Sequence, residues 1–137
     1  MARIAILADT HIPSRAATLP GWVESELQDA DHVIHAGDFD SEEAVSRVRE
    51  ISNGNLTAVS GNMDPASLDL PEVDTVTIGG RTFVVYHGTG SPSGYRRRIQ
   101  QAVRAETDVE DPIAVSGHTH EVLDVTETVR MLNPGSA

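Results

Sequence analysis

The stretch Arg3-Ile-Ala-Ile-Leu-Ala-Asp-Thr-His11 decides how the rest of the chain is interpreted. Its apolar run, from Ile4 to Ala8, has the length and composition of a buried β-strand. The run ends in the polar cluster Asp9-Thr10-His11. In α/β proteins, ligands bind beyond the carboxyl ends of the strands, so a cluster at that end is a candidate site.

The same arrangement recurs four more times along the chain. Apolar runs end in the clusters Gly37-Asp38, Gly61-Asn62, His87-Gly88 and Gly117-His118-Thr119-His120. Because these runs alternate with amphipathic segments, the chain is predicted to form α/β layers. The five clusters, although far apart in sequence, can then converge on one rim of the fold.

The segments between the clusters predict three helices and one clear hairpin. The helices are expected over 20–28, from an N-cap at Ser41 to about residue 53, and over 93–105. Gly79-Gly80 predicts a tight turn between strands over 73–78 and 82–86. Residues 122–132 are consistent with either a further hairpin or one long bent strand. Trp22 is predicted to lie in the core.

The residue types in the clusters suit a metal site. Asp9 and His11 are spaced i, i+2, as are His118 and His120, so in an extended segment each pair points to one side. Imidazole, carboxylate and amide oxygen together favour manganese, iron, zinc or nickel over thiophilic ions. The chain has no cysteine, which excludes a thiolate site and a cysteine nucleophile.

Taken in order, the five clusters resemble the calcineurin-like metallophosphoesterases. The resemblance is closest to the small bacterial and archaeal phosphodiesterase branch, and it extends to Asn133-Pro-Gly-Ser136. It implies an α/β fold, a four-layer α-β-β-α sandwich of two mixed β-sheets flanked by helices. The whole chain, residues 1–137, is then expected to be a single metallophosphoesterase domain.

The resemblance also implies a two-metal site. Asp9, His11 and His120 would hold the first ion, and Asn62, His87 and His118 the second. Asp38 would bridge both ions, and the resemblance gives catalytic roles to Asp38, Asn62 and His87. The expected cofactors are two divalent ions, Mn²⁺ first, with Ni²⁺, Fe²⁺ or Zn²⁺ as alternatives. Two such ions, about 3.5–4 Å apart, can clamp a phosphate ester while a bridging hydroxide attacks phosphorus in line.

The predicted activity is therefore that of a metal-dependent phosphodiesterase. A nucleotide phosphomonoesterase is an alternative enzyme, and a non-catalytic protein-interaction scaffold on the same fold is an alternative of another class. All seven ligand positions hold residue types able to bind a metal, which favours an enzyme. Met63 stands where many family members have a histidine after Gly-Asn, which predicts modest activity and a preference for good leaving groups.

Several further residues have two interpretations each. His35 is predicted to be a hydrogen-bonded core histidine, with support of the site as the alternative. Arg96-Arg97-Arg98 is predicted to be a solvated helix face, with one arginine reaching the substrate phosphate as the alternative. Thr10 either makes a turn or touches the substrate.

The charge balance restricts the partners. The formal net charge is −11, and all ten basic residues are arginine. Such a surface repels phosphates, so general binding to nucleic acid or membranes is not expected. The small phosphate-ester substrate is what the resemblance implies. The composition also predicts a soluble cytoplasmic protein adapted to high intracellular salt, with a GC-rich genome as the alternative explanation. Relatives continue past Ser136, so the chain is expected to be either a compact member or one whose open sheet edge is completed in a homodimer.

Overall fold

A computed structural model of the chain describes residues 3–10, 21–62, 64, 70–90, 93–107, 112–119, 122–126 and 130–135. Within these ranges the chain forms eight strands and three helices, arranged in two sheets. The first sheet has the order β1-β2-β3, with β1 at Ile4–Leu7, β2 at His32–His35 and β3 at Leu56–Ala58. Both of its pairings are parallel, so all three strands end at the same edge.

The second sheet has five strands in the order β4-β5-β6-β8-β7. The strands are β4 at Val73–Ile78, β5 at Arg81–Tyr86, β6 at Ile113–Val115, β7 at Val122–Thr126 and β8 at Arg130–Pro134. The predicted hairpin is confirmed, because β4 and β5 pair antiparallel on either side of Gly79 and Gly80. Strands β7 and β8 also pair antiparallel, which decides for the hairpin over the long bent strand.

Three helices cover the outer faces of the two sheets. They are α1 at Gly21–Asp29, α2 at Glu42–Ile51 and α3 at Tyr95–Glu106. Ser41 caps α2 as predicted, since its side chain accepts a hydrogen bond from the backbone of Ala44. The prediction for Trp22 was wrong. Its side chain is 73% exposed, because Val23 and Leu27 supply the buried face of α1 and Trp22 lies outside that stripe. None of the helices in the described ranges is long and apolar enough to cross a bilayer.

Three clusters of apolar side chains lie between the four layers of helices and sheets. Val33, Leu27 and Val45 represent the cluster between the first sheet and helices α1 and α2. A second cluster, which includes Ile34 and Val85, lies between the sheets, and a third joins the second sheet to α3. The four-layer α-β-β-α sandwich is therefore confirmed. Among the described strands, however, mixed pairing is confined to the second sheet, and the first sheet is parallel throughout.

Candidate metal centre

The ends of five strands place the predicted site residues on one rim between the two sheets. Asp9 follows β1, Asp38 follows β2 and Asn62 follows β3. His87 comes directly after β5, and His118 follows β6. These five residues are brought together, as the convergence of carboxyl ends predicts. The other two predicted ligands, His11 and His120, lie outside the described residues, as does Met63.

Backbone carbonyls fix the orientation of the two histidines. His87 Nδ1 lies 2.7 Å from the carbonyl oxygen of Ala36, so this nitrogen donates and Nε2 is the candidate ligand atom. His118 is held in the opposite sense, because its Nε2 lies 2.9 Å from the carbonyl oxygen of Gly90. His87 Nε2 and His118 Nδ1 are each 3.1 Å from Asn62 Oδ1. Both rings thus direct their second nitrogen toward the same point.

Two buried carboxylates face these rings. Asp9 is fully buried and Asp38 is 2% exposed. His87 Nε2 lies 3.1 Å from Asp38 Oδ2 and 3.8 Å from Asp9 Oδ1. Burial disfavours the charged form of His87, but the hydrogen bond and charge of Asp38, with smaller contributions from Ala36 and Asp9, raise its pKa above the usual value. The site therefore attracts positive charge.

The donor set fits a divalent cation. Ligand atoms of Asp38, His87 and His118 all lie within 4.8 Å of one another. One carboxylate and two imidazoles are suitable ligands for Mn, Fe, Zn or Ni. A cation at this point would also neutralise negative charge on the buried carboxylates of Asp9 and Asp38. The residues present thus fit a metal ion, and the ligand roles of individual residues stay predictions.

Three of the candidate metal ligands have a strained backbone. Asp9, Asp38 and His118 have positive φ values of 54°, 64° and 74°. Such a conformation is uncommon outside glycine and typically costs about 1–3 kcal/mol per residue. Strained backbone that the surrounding structure maintains at three candidate ligands is characteristic of a functional site.

Two glycines allow the loops of the site to pack closely. A Cβ atom on Gly37 would lie 2.7 Å from His87 Nδ1 and 2.8 Å from the backbone nitrogen of Gly61. A Cβ on Gly61 would lie 2.6 Å from the backbone nitrogen of Asp38. Both distances are too short for real contacts. The two glycines are thus required by the close approach of the loops that carry Asp38, Asn62 and His87.

Asp64 is a structural residue of the site that the sequence reasoning missed. Its carboxylate accepts hydrogen bonds from the backbone nitrogens of Asp38, Asp40 and Gly61, each at 2.8 Å. It thereby ties the loop after β2 to the loop after β3. No local pattern signals this role, because two of the three donors lie 26 and 24 positions away in the sequence.

Both roles predicted for His35, core histidine and support of the site, are present in the structure. It is fully buried and stacks on Phe39, with ring centroids 3.5 Å apart. Its Nδ1 accepts a hydrogen bond from the backbone of Gly37, and its Nε2 lies 3.2 Å from Thr10 Oγ1. The ring is a core histidine that also braces the segments carrying Asp9 and Asp38.

Arg98 departs from the prediction of a solvated face. Its guanidinium donates to the carbonyl oxygens of Gly88 and Ser93, at 3.1 and 3.2 Å, and lies against Gly90. Arg98 thus braces the loop whose Gly90 carbonyl holds His118. Arg96 and Arg97 are exposed on α3, as predicted.

A buried group of polar side chains holds the carbonyl of Gly117, the residue before His118. The hydroxyl of Tyr95 lies 2.6 Å from Ser116 Oγ and 2.7 Å from the carbonyl oxygen of Gly117. The side-chain amide of Asn133 donates to the same carbonyl at 3.0 Å and to the Tyr95 hydroxyl at 3.1 Å. Burial raises the pKa of Tyr95, although its contacts with Ser116 and Asn133 act in the opposite direction.

Comparison with known proteins decides the family. The family described as the calcineurin-like phosphoesterase superfamily domain matches residues 2–137. The chain belongs to this superfamily. It is 33% identical to a probable metallophosphoesterase of Methanocaldococcus jannaschii, over 97% of this chain and 67% of that protein. It is also 30% identical to a probable metallophosphoesterase of Methanothermobacter thermautotrophicus, over 97% of this chain and 76% of that protein.

A solved structure confirms the fold. The structure of Vacuolar Protein Sorting 29 from Cryptosporidium parvum matches with a TM-score of 0.79 and 28% sequence identity. The match covers 99% of this chain and 75% of that one. Membership of the family supports a hydrolase that uses divalent metal ions, and the donor group formed by Asp38, His87 and His118 is a candidate for holding one.

Proposed function

We propose that this member of the superfamily is a metal-dependent phosphodiesterase with a two-metal site. The observation that carries the proposal is the convergence of Asp38, His87 and His118 on one point, with Asn62 Oδ1 between the two rings. Asp9 faces the same point from the end of β1. A scaffold that binds no metal would not need five competent donors from five strands on one rim.

The proposed division of the ligands is the one that the resemblance to the family implies. Asn62, His87 and His118 would hold one ion, Asp9 would hold the other together with His11 and His120, and Asp38 would bridge them. The ions proposed are Mn²⁺, with Ni²⁺, Fe²⁺ or Zn²⁺ as alternatives. When bound, such ions lower the pKa of a water molecule and neutralise charge on the phosphoryl oxygens.

The protein supplies order and charge around this chemistry. The carbonyls of Ala36 and Gly90 fix the orientation of the His87 and His118 rings, so neither ring has to rotate to bind. Asp64 holds the backbone of Asp38 and Gly61, which limits movement of the carboxylate that would bridge the ions. Because Met63 follows Asn62 in the sequence, the residue at this position provides no imidazole to protonate a leaving group. Diesters with acidic alcohols are therefore the preferred substrates.

The test compares a chromogenic diester with its monoester. Metal-stripped protein is assayed with bis(p-nitrophenyl) phosphate and p-nitrophenyl phosphate, with and without Mn²⁺. Asp38→Ala and His118→Ala should each abolish hydrolysis. His32→Ala is the matched control, because His32 lies outside the site and bonds to Thr57. Hydrolysis that persists in the Asp38 and His118 variants, or that needs no metal, would contradict the proposal. Faster cleavage of the monoester would favour the phosphomonoesterase.

A non-catalytic scaffold is the second candidate. The observation in its favour is the structural likeness to Vacuolar Protein Sorting 29, a protein named for a role in sorting. The two candidates differ in whether the metal-loaded protein hydrolyses a phosphate ester. Metal bound at two ions per chain without hydrolysis of either ester, with any of Mn²⁺, Ni²⁺, Co²⁺ or Zn²⁺, would favour the scaffold.

A further inference from the structure

A small cavity opens beside the candidate metal centre. Its volume is about 250 Å³, and two proposed metal ligands, Asn62 and His87, form part of its wall. The described residues that complete the lining are Ser60, Gly61, Glu72, Tyr86 and Thr89. Because the cavity shares a wall with the metal site, a group attached to a phosphate at that site can enter it.

Glu72 brings a negative charge to the lining of the cavity. Among the described residues that line it, Glu72 is the one carboxylate, and there is no arginine or lysine. Glu72 is exposed to solvent, and within the described ranges no side chain forms an ion pair with it. Hydroxyl groups of Ser60 and Thr89 add hydrogen-bond acceptors.

Strand pairing places Glu72 close to the site. Val73 and Tyr86 are directly opposite each other at the last pair of the β4–β5 ladder. Glu72 and His87 are the next residue on each strand beyond that pair. Glu72 and His87 also line the same cavity, so Glu72 belongs to the immediate surroundings of His87.

We infer that this cavity receives the second alcohol of the phosphodiester and that Glu72 selects an alcohol bearing an ammonium group. A carboxylate and hydroxyl oxygens are the partners that an ammonium group requires, and they repel a second anionic group. The volume also suits a short alcohol, since cavities for drug-sized ligands hold about 300–1,000 Å³. The substrate class is thus a small zwitterionic phosphodiester of an amino alcohol. This inference rests on the proposed phosphodiesterase activity.

The test uses two diesters that differ in one group. Both release p-nitrophenolate, and the other arm is 2-aminoethyl in one and propyl in the other, which is nearly the same size. Hydrolysis is measured with Mn²⁺ at low ionic strength, where screening of an exposed charge is weak. We expect kcat/KM to favour the aminoethyl diester by about two- to fivefold, the effect of one exposed charge pair.

Two variants isolate the role of Glu72. Glu72→Gln keeps the shape of the side chain and should remove the preference between the two diesters. Glu106→Gln removes the same charge at the end of α3, roughly 16 Å beyond the start of that helix, and should retain the preference. If the native protein shows no preference, or if Glu72→Gln leaves it unchanged, the inference is overturned while the phosphodiesterase activity stands.

A binding measurement distinguishes failure of the inference about the cavity from failure of the proposed phosphodiesterase activity. If neither diester is hydrolysed, the proposed function fails, and calorimetric titration of the Mn²⁺-loaded protein with O-phosphoethanolamine and propyl phosphate tests the cavity by itself. Tighter binding of O-phosphoethanolamine that is lost in Glu72→Gln supports the inference. Equal binding of the two phosphates, or no binding of either, overturns it.

Discussion

The backbone nitrogen of His118 donates to both carboxylate oxygens of Asp9, at 3.2 and 3.0 Å, although the two residues are 109 positions apart. Asp9 ends a strand of the first sheet and His118 follows a strand of the second. The hydrogen bonds therefore join the two sheets at the rim where the candidate metal centre lies. They also stabilise the positive φ of His118, which nothing local would favour.

Asp64→Asn should weaken the fold and the metal site together. The substitution removes the charge and one of the two oxygens that accept from Asp38, Asp40 and Gly61. Hydrogen bonds to a charged group contribute about 1.5–3 kcal/mol each, so we expect a loss of about 2–3 kcal/mol in the free energy of unfolding. Urea unfolding measures it. Asp124→Asn, which breaks only the exposed pair with Arg130, should cost less than about 1 kcal/mol. Equal losses in the two variants would contradict the role given to Asp64.

Arg98→Ala should lower metal affinity without touching a proposed ligand. It frees the loop whose Gly90 carbonyl orients His118. Removing such an indirect support typically costs about 10- to 100-fold in metal affinity. Titration of the metal-stripped protein with Mn²⁺ measures the change. Arg97→Ala, one position earlier on an exposed part of α3, is the matched control and should bind as the native protein does. Unchanged affinity in Arg98→Ala would show that the loop is held by other contacts.

Tyr95→Phe should lower stability at neutral pH and reduce its loss at alkaline pH. The buried hydroxyl contacts Ser116 and Asn133, and its removal should cost about 1–2 kcal/mol. Burial raises the pKa of Tyr95 above its ordinary value of 10.0, so the folded state holds this proton more tightly than the unfolded state. This contribution to stability is fully present below about pH 10 and is lost as the pH rises through the raised pKa.

Urea unfolding at pH 8 and at pH 11 checks both parts of the Tyr95 prediction. The native protein should lose more stability between these pH values than Tyr95→Phe does. Tyr86→Phe, on the last position of β5, serves as the control. Parallel losses in the native protein and in Tyr95→Phe would show that the buried hydroxyl does not govern the alkaline transition.

Molar salt should stabilise the protein if its acidic composition is an adaptation to salt. The net charge of −11 produces repulsion that screening relieves. The midpoint of thermal unfolding is expected to rise between 0.1 M and 2 M KCl. A midpoint that stays constant or falls would remove the saline interpretation and leave the alternative of a GC-rich genome.

Local pattern was sufficient to predict the elements and the clusters at their ends. Apolar runs, the Ser41 cap and the Gly79-Gly80 turn each depend on residues close in sequence, and all three predictions are confirmed. The position of Trp22 was not predictable in this way. The position of Trp22 in the sequence of α1 is compatible with the buried face of the helix. Only the direction in which α1 packs on the first sheet leaves its side chain exposed.

The sequence by itself determined the α/β layers, the five polar clusters and the residue types available to bind a metal, since these follow from periodicity and chemical identity. Only the tertiary structure decided which nitrogen of His87 and of His118 faces the site, because the fixing carbonyls belong to Ala36 and Gly90 on other segments. It likewise decided that Asp64 clamps two loops. A hydrogen bond depends on distances of a few tenths of an ångström between distant segments, and packing of the whole chain sets those distances.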